Sequence, residues 1–490
     1  MKFISTRANA PELDFEDVII TGLATDGGLY VPDVWPQISP DQIRSFAARP
    51  YCDVAYEIMA PFIDGTVDDV IFKDILEQSY ATFRHPAVVP LREMRPNEWI
   101  LELFHGPTFA FKDVALQVLA RLIDHVLEKR NKRATIVVAT SGDTGGAAIE
   151  AFKGRRRTDV FVLHPHNRVS DVQRRQMTTA VEDNVHNIAI EGTFDDCQNL
   201  VKAMFNHPSF RQSLQLSGVN SINWARIMAQ IVYYFTSAAA LGAPDRKMRF
   251  CVPTGNFGDI FAGYAAGKMG LLIDRLTIAT NINDILTRVV KSGRYEVLGV
   301  TPTASPSMDI QVSSNFERLL FDAVGRDGGQ VVHMMNALGQ SGAFTIDSTA
   351  LNYIQSRFDA VRTDEEETLK TMAEVYAASG DMIDPHTAVA LAGARCSEQS
   401  DAIPNIILST AHPAKFPDAV EKATGKRMSM PIQLNALFDR PEHFNVLPND
   451  LSTVEGFIEA NARVNTLYPR CGGIYAVKRI THRHPLPAAS

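Results

Sequence analysis

The sequence predicts an α/β protein: two open units with parallel or mixed sheets, preceded by a mostly helical region. Three observations predict it. Residues 1–95 carry apolar residues at helical spacing between polar caps. From about residue 96 the pattern becomes strand, turn and helix in repeated order, the alternation that builds parallel sheets with helices on both faces. The chain is also too long, at 490 residues with 45% of them hydrophobic, to surround one core. The expected division is a helical domain at 1–95, a large α/β domain from 96–134 and 245–490, and a smaller α/β domain at 135–244.

Taken in order, 15–23 reads as a short helix and 27–32 as a turn and an edge strand; 41–48, 51–63 and 67–83 read as helices. A strand at 99–104 is stopped by the turn signal Gly106-Pro107. Val114, Leu116, Val118, Leu119, Leu122, Ile123 and Val126 recur at intervals of three and four, so a helix follows. The β-branched run 135–139 feeds Ser141-Gly142-Asp143-Thr144-Gly145-Gly146 and a helix at 147–152. Strands at 160–163 and 185–190 alternate with helices at 169–178 and 195–205. Residues 217–226 lead into a long apolar helix, and a strand at 248–252 opens into 253–259 and a helix at 260–269. Strand and helix recur at 275–280 and 282–290; a strand at 403–408 ends in Ser409-Thr410, and the tail from about 480 reads as solvated and loose.

Composition narrows the function. A formal net charge of −8 argues against a general nucleic-acid or anionic-membrane binder. The five cysteines are scattered and form no CxxC pair, which fits a reducing compartment and excludes a disulfide framework or a cysteine zinc site. The histidines show no HxH or HExxH spacing, so no metal is expected, and His105, His386 and His412 read as polar lining or packing. No apolar run approaches the roughly 20 residues a membrane helix needs, and the N-terminus has no apolar leader, so a cytoplasmic location is expected.

In open α/β sheets ligands gather at the carboxyl ends of strands, and the chemistry is sought there. Lys112 stands between Phe109-Ala110-Phe111 and the start of a helix. Desolvation there would lower its ammonium pKa, and a neutral amine can form a Schiff base with an aldehyde. Gly255-Asn256-Phe257-Gly258-Asp259 joins a strand to a helix, so its N–H groups and the helix dipole could cradle a phosphate. The turn 141–146 offers N–H groups and hydroxyls to an anion such as a carboxylate, while Asp143 suits a hydrogen bond to a hydroxyl or phenol oxygen. Each feature alone has a plainer reading: a solvated first-turn lysine beside Asp113, a tight turn at 255–259, a helix cap at Asp143. Together, an imine-forming lysine, a separate phosphate cradle and a strand-end hydroxyl at Thr410 describe a pyridoxal phosphate site.

The motifs DGGLYVP at 26–32, FHGPTFAFKD at 104–113, TSGDTGGAA at 140–148, NSINWARI at 220–227, PTGNFGD at 253–259, MDIQVSSNFERLLF at 308–321 and TAHPAKFP at 410–417 carry a resemblance along almost the whole chain. The chain resembles the threonine synthases, in the long bacterial and fungal form. These are fold-type II pyridoxal phosphate enzymes related to the tryptophan synthase β subunit. The resemblance implies that Lys112 holds the cofactor, that Gly255, Asn256, Phe257, Gly258 and Asp259 line it, and that Thr410 meets the ring nitrogen. Asp143 would face the cofactor's phenolic oxygen, with Ser141 and Thr144 at the substrate carboxylate. The implied reaction is that of a carbon–oxygen lyase acting on phosphates: O-phospho-L-homoserine and water give L-threonine and phosphate. Arg226, Ser313, Ser314, Asn315 and Lys415 are expected at the substrate phosphate; for Arg226 and Lys415 the alternative is a helix-surface charge. A phospho-lyase on the same scaffold, giving 2-oxobutyrate, is the nearest alternative. The partner expected is this small molecule, on a monomer or homodimer.

Overall fold

The computed structural model describes residues 1–140, 142–396 and 402–464. Ser141 and the tail from about 480 lie outside the described residues. The chain divides into two compact units, 1–119 with 220–429, and 120–219 with the segment from 430 onward.

In the first unit a six-stranded sheet runs in the order Phe358–Arg362, Ile273–Thr280, Met248–Pro253, Asn405–Ser409, Glu98–Glu102, Leu91–Arg95. Every neighbouring pair is parallel except the last, where Leu91–Arg95 folds back on Glu98–Glu102. The central strands show why. Asn405–Ser409 is buried at every residue and Met248–Pro253 at all but Arg249. Such continuous burial, without alternation, belongs to a strand covered on both faces. Helices Pro385–Cys396 and Gly258–Lys268 supply cover. Because Met248–Pro253, Asn405–Ser409 and Glu98–Glu102 are parallel neighbours, their carboxyl ends lie along one edge of the sheet. The 253–259 loop, Thr410 and the turn before Lys112 all leave from that edge.

The N-terminal helices belong to this unit. Phe15–Thr21 is capped by Asp14, whose carboxylate accepts from Asp17 N at 2.9 Å. The helix read at 41–48 is a short α-helix, Pro40–Ser45, with a capping box at Ser39, and then a 3₁₀ turn, Phe46–Ala48. Tyr51–Ile63 stands as read, and the helix read at 67–83 is shorter, Asp69–Tyr80, because Asp68 caps it. The strand Tyr30–Pro32 pairs antiparallel with Phe3–Ser5. These pieces close on Trp224, whose fully buried ring lies 5.8 Å from Phe3, 6.0 Å from Trp35 and 5.5 Å from Phe62. Trp224 is the first residue of the long helix Trp224–Ala240.

The helix Lys112–Lys129 carries the chain from the first unit into the second, and its seven apolar marker residues are all fully buried. The second unit holds an all-parallel sheet in the order Asn445–Pro448, Val185–Glu191, Thr158–Pro165, Ala134–Ala139, Leu216–Ser217. Its core packs Val137, Phe161 and Ile188 against Leu200, Met204 and Val454. The helix read at 147–152 begins earlier, at Asp143. Gly145 lies inside it, where a Cβ would come within 2.4 Å of Thr140 Cγ2 and 2.9 Å of Val162 Cγ1 in strand Thr158–Pro165; a glycine that reads as part of a turn in sequence is a close helix–strand approach here. Among the described residues no helix is long and apolar enough to cross a membrane, and no cluster of His, Cys, Asp and Glu could hold a metal.

Ile407, fully buried in the central strand of the six-stranded sheet, gives a direct test of this core. Ile407→Ala is expected to lower stability by about 2–5 kcal/mol, read as a shift of the urea midpoint at unchanged slope.

Candidate active site

The turn that presents Lys112 is held from all sides. Phe109 sits in the left-handed region at φ +61, uncommon for an aromatic residue. The Arg84 guanidinium lies 3.5 Å from its ring centroid and donates to the carbonyls of Gly106 at 2.6 Å and Phe104 at 2.9 Å. Burial pushes the Arg84 guanidinium down to about 10, opposed by Asp113. Asp113, itself fully buried, accepts from Thr108 N at 2.7 Å and Thr108 Oγ1 at 2.8 Å. The turn is also stitched to the neighbouring strand end. Phe111 N donates to Thr410 O at 2.8 Å, His412 N donates to Phe109 O at 3.0 Å, and Ala110 pairs with Ala411. Lys112 begins its helix, is buried, and its Nζ lies 4.9 Å from the Phe111 ring centroid.

Across the same edge, residues 255–257 turn their two sides to different partners. Gly255 O accepts from Ser313 Oγ at 2.7 Å. Asn256 O accepts from Asn315 N at 3.1 Å and Asn315 Nδ2 at 2.9 Å, and Phe257 O accepts from Phe261 N at 3.0 Å. Their three N–H groups donate to no protein atom among the described residues. They stand at the start of helix Gly258–Lys268, at the positive end of its dipole. Phe257 holds the left-handed conformation at φ +63 that makes this turn, its ring packed edge-on against Phe316 at 5.3 Å. Gly255 cannot be larger, because a Cβ would meet Ser307 O at 2.5 Å.

Asp259, in the first turn of that helix, joins the two halves. Its Oδ1 accepts from the hydroxyls of Tyr233 and Tyr234, while its Oδ2 is buried without a hydrogen-bond partner in the protein. Burial pushes this carboxyl up to about 7; the two tyrosines and the charge of Lys112 pull the other way. Lys112 is therefore within electrostatic reach of the loop. The hydroxyl of Thr410, at the end of strand Asn405–Ser409, makes no hydrogen bond to the described protein.

The residues expected at a substrate phosphate are buried or have protein partners here. Ser313 and Asn315 hold the back of the 255–256 loop, as above, and Ser314 Oγ stands 3.5 Å from Asn256 Oδ1. Lys415 is buried and donates from Nζ to Thr108 O at 2.8 Å, so it supports the lysine turn. Arg226 is buried in helix Trp224–Ala240, and burial pushes its guanidinium down to about 10. Neither cation is a helix-surface charge. In the second unit, Asp143 is the first residue of its helix, not the cap, and its Oδ1 accepts from Gln173 Nε2 at 2.8 Å. Two of the N–H groups expected to face an anion there, those of Gly142 and Gly145, donate to Thr140 Oγ1 at 2.9 Å. Thr144 is half-buried.

The comparisons with known proteins agree along the chain. Residues 2–80 match the family model described as threonine synthase N terminus, residues 88–337 that of pyridoxal-phosphate dependent enzymes, and residues 387–458 that of the threonine synthase C-terminal part. A threonine synthase of Pseudomonas aeruginosa is 54% identical over 459 residues, covering 94% of this chain and 98% of that protein. The chain belongs to the threonine synthase family. The threonine synthase of Saccharomyces cerevisiae is 42% identical over 485 residues, covering 92% of this chain and 94% of its own. The crystal structure of a pyridoxal phosphate-bound threonine synthase from Brucella melitensis superposes with a TM-score of 0.93 at 55% identity, covering 94% of this chain and all of that one.

The residues fit the cofactor that this threonine synthase family implies. A phosphate needs donors, and three N–H groups at 255–257 have no partner in the protein. An aldehyde needs an amine shielded from water, and Lys112 is buried near Asp259. Several supporting residues escaped the sequence reading: Arg84, the pair Tyr233 and Tyr234, and Arg318. Fully buried, Arg318 donates to Tyr30 O at 3.0 Å and Ile222 O at 2.5 Å and bonds to Asn315 Oδ1. Nothing in the local pattern of an apolar helix marks Tyr233, Tyr234 or Arg318, and Arg84 lies in a plain turn after Asp69–Tyr80. Asp384 at a Pro385 helix start is an N-cap signal that was there to be found.

Two outcomes are expected. Gly255→Ala forces Ser307 and the loop apart and should weaken pyridoxal phosphate binding about tenfold or more, as a lost pair of N–H contacts would, measured by titrating cofactor into the apo protein. Asp259 binds its proton more tightly in the folded chain, at about 7, than at its ordinary 3.8. Its contribution is fully present below about pH 4 and is lost as pH rises towards about 7. Relative to Asp259→Asn, the apo wild type should lose stability across that window and not above it, read from urea midpoints at a series of pH values.

Proposed function

We propose that this chain converts O-phospho-L-homoserine and water into L-threonine and phosphate, using pyridoxal phosphate held in the first unit. When bound, the cofactor supplies an electron sink for the charge that develops on the substrate carbons. Lys112 is the residue that would hold the cofactor's aldehyde, and its Nζ, once free, would take the proton from the substrate's Cα and then from its Cβ. The N–H groups of Gly255, Asn256 and Phe257 hold the cofactor phosphate, helped by the dipole of helix Gly258–Lys268. The Thr410 hydroxyl, at the end of strand Asn405–Ser409, would be the neutral partner for the ring nitrogen. Asp259 lies within electrostatic reach of the lysine and, with a carboxyl pushed up to about 7, can hold or release a proton near neutral pH. Arg226, buried in the helix that also carries Tyr233, is the cation best suited to a phosphate dianion.

What supports this reading is one juxtaposition. A buried lysine and three unused N–H groups follow parallel strands that flank Asn405–Ser409, at the same sheet edge, in a chain of the threonine synthase family. Borohydride reduction of the purified protein followed by peptide mapping should place the pyridoxyl group on Lys112. Lys112→Ala should lower turnover of O-phospho-L-homoserine about 100- to 10,000-fold, the range for a lost general base. The product should be threonine; accumulation of 2-oxobutyrate in its place would assign the chain to phospho-lyase chemistry.

A further inference from the structure

Behind the candidate site, at the start of helix Pro385–Cys396, lies a buried polar group that the reaction does not use. Asp384, His386, Thr387 and Ser409 are all buried. The Asp384 carboxylate takes His386 N at 3.0 Å and His386 Nδ1 at 2.8 Å on one oxygen, and the Thr387 hydroxyl on the other. The His386 tautomer follows from its other partner. Ser307 N lies 3.3 Å from His386 Nε2 and can only donate, so Nε2 accepts and Nδ1 carries the proton that Asp384 receives. Thr387 Oγ1 is 2.8 Å from Ser409 Oγ. Because Thr387 gives its own proton to a carboxylate, Ser409 is the donor of that pair.

The two arms of this group reach the two ends of the proposed cofactor site. Ser307 is the residue whose carbonyl backs Gly255, so the His386 arm ends behind the phosphate cradle. Ser409 precedes Thr410, whose carbonyl anchors Phe111 in the lysine turn, so the other arm ends at the ring-nitrogen hydroxyl. The histidine cannot shift freely, since its ring packs edge-on against Phe416 at 5.0 Å.

We propose that His386, oriented by Asp384, is a positioning residue that sets the distance between the phosphate cradle and the ring-nitrogen end of the cofactor site. It touches neither cofactor nor substrate. This rests on the cofactor reading above and extends it to a residue with no contact to the chemistry. A merely structural helix cap would change the melting temperature and leave the cofactor's environment alone, whereas a positioning residue changes the grip on a cofactor that spans both arms.

The test uses the full chain, stripped of cofactor and titrated with pyridoxal phosphate, in wild type, His386→Leu and His386→Gln. In Gln, Oε1 stands where Nε2 accepts, so that variant keeps the Ser307 bond. His386→Leu should raise the Kd for pyridoxal phosphate about tenfold and shift the phosphorus resonance of the bound cofactor, whatever it does to the apo melting temperature. His386→Gln should return the Kd to within about threefold of wild type and restore the resonance. A Leu variant with wild-type Kd and resonance overturns the proposal, as does a folded Gln variant as impaired as Leu. Should Leu not fold, His386→Asn, too short to reach Ser307, takes its place with the same two readings. Wild type that carries no cofactor on Lys112 would instead defeat the cofactor reading, and the two failures are thereby told apart.

Discussion

The carbonyls of Gly255, Asn256 and Phe257 are all taken by protein donors, and the rest of the site is built on that arrangement. They accept from Ser313, Asn315 and Phe261, while the N–H groups of the same residues donate to no protein atom among the described residues. A loop free to rotate would present a mixture of donors and acceptors to an anion and bind it poorly. Holding it demands a left-handed Phe257, which costs on the order of 1–3 kcal/mol. Burying that ring against Phe316 and Phe358 contributes about the same, roughly 1.5–3 kcal/mol. The strained residue is thus fixed by its own side chain, and the loop needs no ligand to hold its shape.

The tie-back extends to the N-terminal region. Asn315 holds Asn256, Arg318 holds Asn315, and Arg318 also grips Tyr30 and Ile222. Glu317, next in sequence, forms a two-point ion pair with Arg7 and accepts from Thr6 Oγ1 at 2.6 Å. A guanidinium in this position is desolvated, and burial pushes Arg318 down to about 9. Buried charges of this kind stabilise little in net terms against an apolar replacement, yet removing one partner leaves the other stranded. Their use here is geometric: one planar cation joins the N-terminal strand, the start of helix Trp224–Ala240 and the loop behind the cradle.

Most of the strand–helix alternation was legible because parallel strands buried on both faces are short apolar runs ending in glycine-rich turns. Lys112, the 255–259 loop and Thr410 were legible for the same reason: each lies just after such a run. The helices between about 320 and 400 were not read, among them Gly328–Ser341 and Glu365–Ser379, because their apolar faces are broken by polar residues and their caps are ordinary. Ser313, Asn315 and Lys415 were expected at a phosphate on a sound rule, and in the structure each also donates to a backbone carbonyl. Hydroxyls, amides and ammonium groups near a phosphate are good ligands, but they are equally good partners for carbonyls, and spacing does not say which.

The sequence by itself determined the order of elements, the strand-end position of the lysine and the glycine loop, and the family, since these rest on local periodicity and on motifs that survive without coordinates. Tertiary structure alone decided which carbonyls the polar residues near the loop would satisfy, that Arg226 and Lys415 are buried, and that Asp384, His386 and Thr387 link Ser307 to Ser409. The reason is physical: a hydrogen bond is settled by distance and direction between groups as far apart in sequence as Ser307 and His386, and composition or spacing along the chain carries neither.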